Sequence, residues 1–139
     1  MFVDAVDLRA AEAIVDGLKA STAPLAVAQL RALGGAMARV PTDATAFAHR
    51  GRRILISVGA VYERPEEAPV HDAWVSGLAA AVRRGEPGVY VGFLGDEGEA
   101  RIHEAYPGPT WDRLAAIKAR YDPTNLFRLN QNVPPAIRA

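Results

Sequence analysis

Cysteine is missing from all 139 residues. That excludes a disulfide framework, a thiol nucleophile and a thiolate metal site. Histidine is scarce: the three present, His49, His71 and His103, lie far apart with no ligand spacing, so no metal site is expected. An excess of either charge is also lacking, since 16 Lys plus Arg balance 16 Asp plus Glu for a formal net charge of +0. This argues against a nucleic-acid partner, which calls for a basic patch or stripe. It also leaves little charge repulsion between copies. No run approaches the roughly 20 apolar residues that span a bilayer, so no membrane partner is expected. The start, Met1-Phe2-Val3-Asp4, is not a basic region followed by an apolar one. No signal peptide is read there, and a soluble cytoplasmic protein is the expectation. Nucleotide-binding and hydrolase signatures are missing as well: there is no Walker phosphate loop, no Gly-x-Gly-x-x-Gly behind a strand and no Gly-x-Ser-x-Gly elbow.

What is present is enough apolar residue for a real core, 50% of the chain, in a length that suits one domain over residues 1–139. Asp7 can cap a helix from Leu8 to Lys19, with Ala11, Ile14, Val15 and Leu18 on one face. Ser21-Thr22-Ala23-Pro24 breaks it. Leu25 to Leu33 fits helix or strand; its length and its flanks, Pro24 and Gly34-Gly35, favour a strand. Ala36 to Val40 is expected to continue as a strand after a glycine bend, and Thr45 to Arg50 to be short and extended. Arg53 to Tyr62 is the best strand, β-branched throughout and apolar on both faces over part of its length, hence central.

A helix is expected from about Glu67 to Arg84, burying Val70, Trp74, Leu78 and Ala81-Val82 and ended by Gly85. Val89 to Leu94 reads as the last strand. Glu97 to Ala105 and Thr110 to Tyr121 read as helices split by Pro107-Gly108-Pro109, and the remainder as an irregular tail. The order implies α+β: an antiparallel sheet of about four strands with helices packed on one face.

Chemistry-bearing residues are few. Asp96-Glu97-x-Glu99 suits a hard cation, but a solvated loop and helix start explains it better. Tyr90 and Phe93, three apart on a strand, are expected on opposite faces. His49 is a weak catalytic candidate as acid or base; a surface or strand-edge histidine is the plainer reading. Tyr90 is the other weak candidate. Trp74, Trp111 and Tyr121 read as packing residues. Asn130-Gln131-Asn132 supplies three adjacent amides, able to read the polar edge of a flat heterocycle, to fix a loop backbone, or simply to form a polar tail.

Several stretches together carry a family resemblance. They are Leu33-Gly34-Gly35-Ala36 with Ala38-Arg39-Val40-Pro41, Asp43 through Arg50, Tyr90-Val91-Gly92-Phe93-Leu94, and above all Tyr121-Asp122-Pro123-Thr124-Asn125-Leu126-Phe127-Arg128-Leu129-Asn130-Gln131-Asn132 through Pro135. The chain resembles the berberine-bridge-type FAD-linked oxidoreductases, specifically the C-terminal substrate-domain portion and closing segment. The resemblance implies a strand at Tyr90 lining a substrate pocket, and Tyr90, Asn130, Gln131 and Asn132 near the cofactor. It implies FAD in the parent family, held by a domain this sequence lacks, so that the chain alone is not expected to bind it. Where members often carry Asn and Tyr, this chain has Gly92 and Phe93, which removes a tyrosine base. The expected function is the C-terminal part of an FAD-dependent oxidoreductase, inactive alone. Its expected partners are a flavin-binding domain or subunit, or a second copy in a homodimer, and a small-molecule substrate. The alternative is a non-catalytic α+β module that binds a ligand or self-associates.

Overall fold

The computed structural model describes residues 1–83, 87–95 and 97–137. Arg84 and Gly85, expected to end a helix, and Asp96 of the acidic cluster lie outside them. The fold is α+β, with two compact units: Met1–Leu33 with Arg52–Glu86, and Gly34–Gly51 with Pro87–Ala139.

The first unit holds the sheet. Strands β1 (Phe2–Val3), β2 (Leu25–Ala32) and β3 (Ile54–Val61) pair antiparallel in the order β1-β3-β2. The sheet thus has three strands, not about four, and β3 is central as its two-sided apolarity implied. β1, two residues long, is too short to show a period of two. Helix α1 (Leu8–Ala20) starts where Asp7 accepts a hydrogen bond from the Ala10 amide at 2.8 Å, satisfying one of the donors a helix start leaves open.

Val3, Ile14, Ile56, Leu78 and Val82 form the core of this unit. Full burial of such a side chain is worth about 1.5–3 kcal/mol. Helix α2 (Ala68–Val82) follows a 3-10 turn at Pro65–Glu67. Its buried stripe runs through His71, Leu78 and Val82. Val70 is exposed, because at 100° per residue it lies one step off the line set by Leu78 and Val82. Val15 on α1 is exposed for the same reason, with Ala10 taking the buried place. Trp74 packs against the core, and its indole N–H donates to the Gly17 carbonyl at 2.8 Å. A Cβ at Gly17 would lie 2.9 Å from Leu78 Cδ1, so glycine there lets α1 approach α2. His71 stacks on Tyr62 with ring centroids 5.0 Å apart.

The second unit is helical and irregular. The chain leaves β2 through Gly34 and Gly35, at φ of 140° and 58°, conformations glycine adopts without Cβ strain. The expected strand at Ala36 to Val40 is instead a 3-10 turn at Met37–Arg39. Thr45 to Arg50 is not a strand either. The Arg50 guanidinium donates to the Phe47 carbonyl at 3.1 Å, the Met37 carbonyl at 3.3 Å and Thr45 Oγ1 at 2.7 Å, holding this segment as a loop. Helices α3 (Glu99–Ala105) and α4 (Pro109–Tyr121) come next. Arg113 donates to the Asp43 carbonyl at 2.6 Å, and the Ala136 amide to the Ala115 carbonyl at 3.0 Å, tying loop and tail to α4. Among the described residues no helix is long and apolar enough to cross a membrane.

Candidate functional site

Val89 to Leu94, expected as a strand, turns at its centre: Val91–Phe93 is a 3-10 turn, with the Phe93 amide donating to the Tyr90 carbonyl at 3.0 Å. Residues three apart eclipse in such a turn. Tyr90 and Phe93 therefore do not face apart; their rings meet edge to face with centroids 5.5 Å apart. Gly92 permits the turn, since a Cβ there would lie 2.9 Å from Tyr90 Cε1. Both rings stay open, Tyr90 at 40% and Phe93 at 44% of their surface. The pair forms a half-exposed aromatic wall.

Behind the wall, Phe47 meets Tyr90 at 6.0 Å and His49 at 6.1 Å between centroids, each edge to face. His49 is buried rather than on the surface, and its Nε2 lies 3.0 Å from the Glu104 carbonyl. Phe47 thus stands against both catalytic candidates. Burial pushes the Tyr106 phenol above its ordinary pKa, with Tyr90 adding to the effect.

The tail is fixed by a clasp at the end of α4. Lys118 Nζ lies 2.6 Å from Asp122 Oδ2 and donates to the Phe127 carbonyl. Asp122 accepts from the Leu126 amide at 2.7 Å and the Phe127 amide at 3.0 Å. The Lys118 ammonium first, and these amides with it, hold the Asp122 carboxyl below its usual range. Farther on, Gln131 Nε2 donates to the Leu94 carbonyl at 2.8 Å, binding tail to wall. Asn130 takes φ of 59°, a value asparagine tolerates better than most residues. Asn130, Gln131 and Asn132 line an open cleft of about 720 Å³ with Leu94, Gly95 and Ile102. Asn132 Oδ1, like Asn125 Oδ1, is buried without a hydrogen-bond partner among the described residues.

The structure therefore gathers Asn130, Gln131 and Asn132 at one cleft, with Gln131 reaching the loop behind Tyr90. Phe47, Lys118 and the Asp122 carboxylate are participants that sequence reasoning missed. Asp122-Pro123-Thr124-Asn125 did carry a turn signal, and an Asp ahead of a turn is the residue that accepts from amides beyond it. Tyr121 is 74% exposed, not packed as expected, whereas Trp111 stacks on His103 at 3.6 Å between centroids.

The diphosphate of a dinucleotide such as FAD is held at helix N-termini with bare amides. Here α1 starts at Asp7, α2 follows Glu66 and Glu67, and α3 and α4 carry Glu99 and Asp112 in their first turns. These carboxylates repel a diphosphate, so the described helix starts do not fit that part of FAD. Among the described residues no group of three His, Asp or Glu could hold a metal ion.

Residues 89–134 match the family model described as "Berberine and berberine like". The chain is 34% identical over 109 residues to "Uncharacterized FAD-linked oxidoreductase YgaK" of Bacillus subtilis, a match covering 78% of this chain and 24% of that protein. It is 31% identical over 109 residues to the xylooligosaccharide oxidase of Thermothelomyces thermophilus, covering 73% and 22% respectively. Among solved structures, a chitooligosaccharide oxidase shares the fold with a TM-score of 0.72 and 24% identity, over 97% of this chain and 31% of that one. The chain therefore spans about a quarter of the length of these sequence relatives.

Proposed function

Because the chain belongs to the berberine and berberine-like family through residues 89–134, we propose that it works as the C-terminal part of an FAD-dependent oxidoreductase. Its relatives are FAD-linked oxidoreductases. In this reading the chain supplies one wall of a small-molecule substrate pocket, Tyr90 with Phe93, and the tail that docks on a flavin-binding domain or subunit. FAD is held by that partner, and its redox chemistry belongs to the cofactor. The role of this chain is to shape the pocket and exclude water, and it turns over nothing alone.

The observation that carries this reading is the Gln131 bond to the Leu94 carbonyl. It fixes the amide-rich tail to the loop that presents Tyr90 and Phe93, so docking and pocket formation become one event. The test is reconstitution with a flavin-binding polypeptide of the same family. Added chain should raise FAD retention, read from the visible flavin band, and restore turnover of an alcohol or sugar substrate. If the flavin-binding polypeptide gains neither, the reading is wrong.

The second reading, a self-associating module, is favoured by one separate observation: the sheet of the first unit keeps a long strand, β2, at its edge.

A further inference from the structure

The open edge of β2 can be read atom by atom. On the far side of β3, Ile56 exchanges both backbone hydrogen bonds with Met1, each 2.9 Å. Antiparallel pairing alternates sides residue by residue. Leu55, Ser57, Gly59 and Val61 therefore turn their peptide groups to β2, where they meet Arg31, Gln29, Val27 and Leu25. The Leu33 amide continues this ladder to the Arg53 carbonyl at 2.7 Å. The remaining β2 residues, Ala26, Ala28, Leu30 and Ala32, present their N–H and C=O groups outward.

Natural edge strands are usually blunted by lysine, proline, a bulge or brevity. This strand runs eight residues in continuous register with β3, with no Lys or Pro in it. Leu30 at its edge is 45% exposed.

We infer that β2 pairs antiparallel with β2 of a second copy of this chain, joining two three-stranded sheets into one. Outward groups must meet outward groups, and among the registers that allow this the one proposed sets Ala26 against Ala32 and Ala28 against Leu30 of the other copy. Gln29 then falls on the two-fold axis, facing its own counterpart, and the two carboxamides can bond each other. Val27 opposes Arg31, so no two like charges face each other, and the arginine stem can cover the valine. The alanines leave room for close approach. With no net charge on the chain, nothing long-range keeps the copies apart. The pairing is strand addition with both partners the same strand, and it is an isologous contact that closes at two copies.

Light scattering on the purified chain across a dilution series tests this. The expected mass is twice 14.9 kDa at the concentrated end. Gln29→Lys sets two ammoniums across the axis, with Arg31 two positions away on each strand, and should give a monomer. Gln29→Glu alone should weaken the dimer, and mixing it with Gln29→Lys should restore the doubled mass. Ala28→Pro removes only an outward N–H, so it should keep the circular dichroism of the parent chain while staying monomeric. A parent chain that is monomeric throughout overturns the inference. So does a dimer that survives both Gln29→Lys and Ala28→Pro, or a charge-swapped mixture that stays monomeric.

Discussion

Lys118 and Asp122 face each other one turn apart at the end of α4, with Nζ 2.6 Å from Oδ2. Their value to the fold lies less in the ion pair than in what each also holds. Asp122 accepts from the Leu126 and Phe127 amides, and Lys118 donates to the Phe127 carbonyl. Two side chains of one helix end thereby set the exit path of the tail.

The pH dependence follows from the lowered Asp122 pKa. A carboxyl whose pKa is lower folded than unfolded binds its proton more readily when unfolded. Its stabilisation is complete above the unfolded value of about 3.9 and is lost as pH falls through the folded value. The tail should therefore loosen only in acid. Hydrogen exchange at the Leu126 and Phe127 amides should accelerate there ahead of the core amides. Asp122→Asn should produce the loosened tail at neutral pH and abolish its acid dependence.

Ile56 is fully buried in the centre of the sheet, packed with Val3, Ile14, Leu78 and Val82. Ile56→Ala should cost about 2–5 kcal/mol of unfolding free energy and Ile56→Val about 0.5–1.5 kcal/mol. Urea unfolding followed by circular dichroism gives both values. A smaller loss for the alanine variant would mean that the core collapses into the cavity.

At Gly92 the expected effect is local. The methyl of Gly92→Ala would press on Tyr90 Cε1 from 2.9 Å. The phenol ring must then leave its rotamer, at about 0.5–1.5 kcal/mol. The edge-to-face contact with Phe93 should break, seen as changed ring-current shifts of the Phe93 protons, while the unfolding midpoint moves little.

This glycine also marks where sequence and structure part. Val89 to Leu94 is apolar and β-branched enough to read as a strand, and periodicity carries no information about whether a neighbouring strand exists to pair with. The Val91–Phe93 turn needs the space that Gly92 leaves beside the Tyr90 ring, and the apolar pattern does not reveal which way that ring turns. The α1 cap at Asp7, the extent of β2 and the central place of β3 were legible, because each rests on local spacing or on apolarity of both strand faces. His71 was not, since one residue of helical phase separates it from Val70 and only the Leu78–Val82 line fixes that phase. The Asn130-Gln131-Asn132 cleft was legible as amide chemistry. Its geometry was not, because Gln131 reaches a carbonyl 37 positions earlier in the chain.

Gln131 offers a direct test of the link between tail and pocket. Gln131→Ala removes the donor to the Leu94 carbonyl and should cost about 0.5–1.5 kcal/mol. The decisive readout is fluorescence of a label on the tail, whose rotational freedom should rise. In a reconstituted oxidoreductase the same variant should raise KM more than it lowers kcat, because it loosens the pocket wall and touches no reacting atom.

The tail also holds apolar side chains out to solvent. Phe127 is 78% exposed and Leu129 86%. Apolar side chains this open contribute little to the stability of the chain that carries them, and exposed apolar residues are what a docking surface uses. Replacing both with serine should leave the urea midpoint of the isolated chain within about 0.5 kcal/mol of the parent. Against a flavin-binding polypeptide the same double variant should lose affinity, since buried aromatic anchors dominate such interfaces. Calorimetric titration separates the outcomes. Unchanged stability with lost binding assigns Phe127 and Leu129 to docking, whereas a fall in stability of the free chain would show that they pack within it instead.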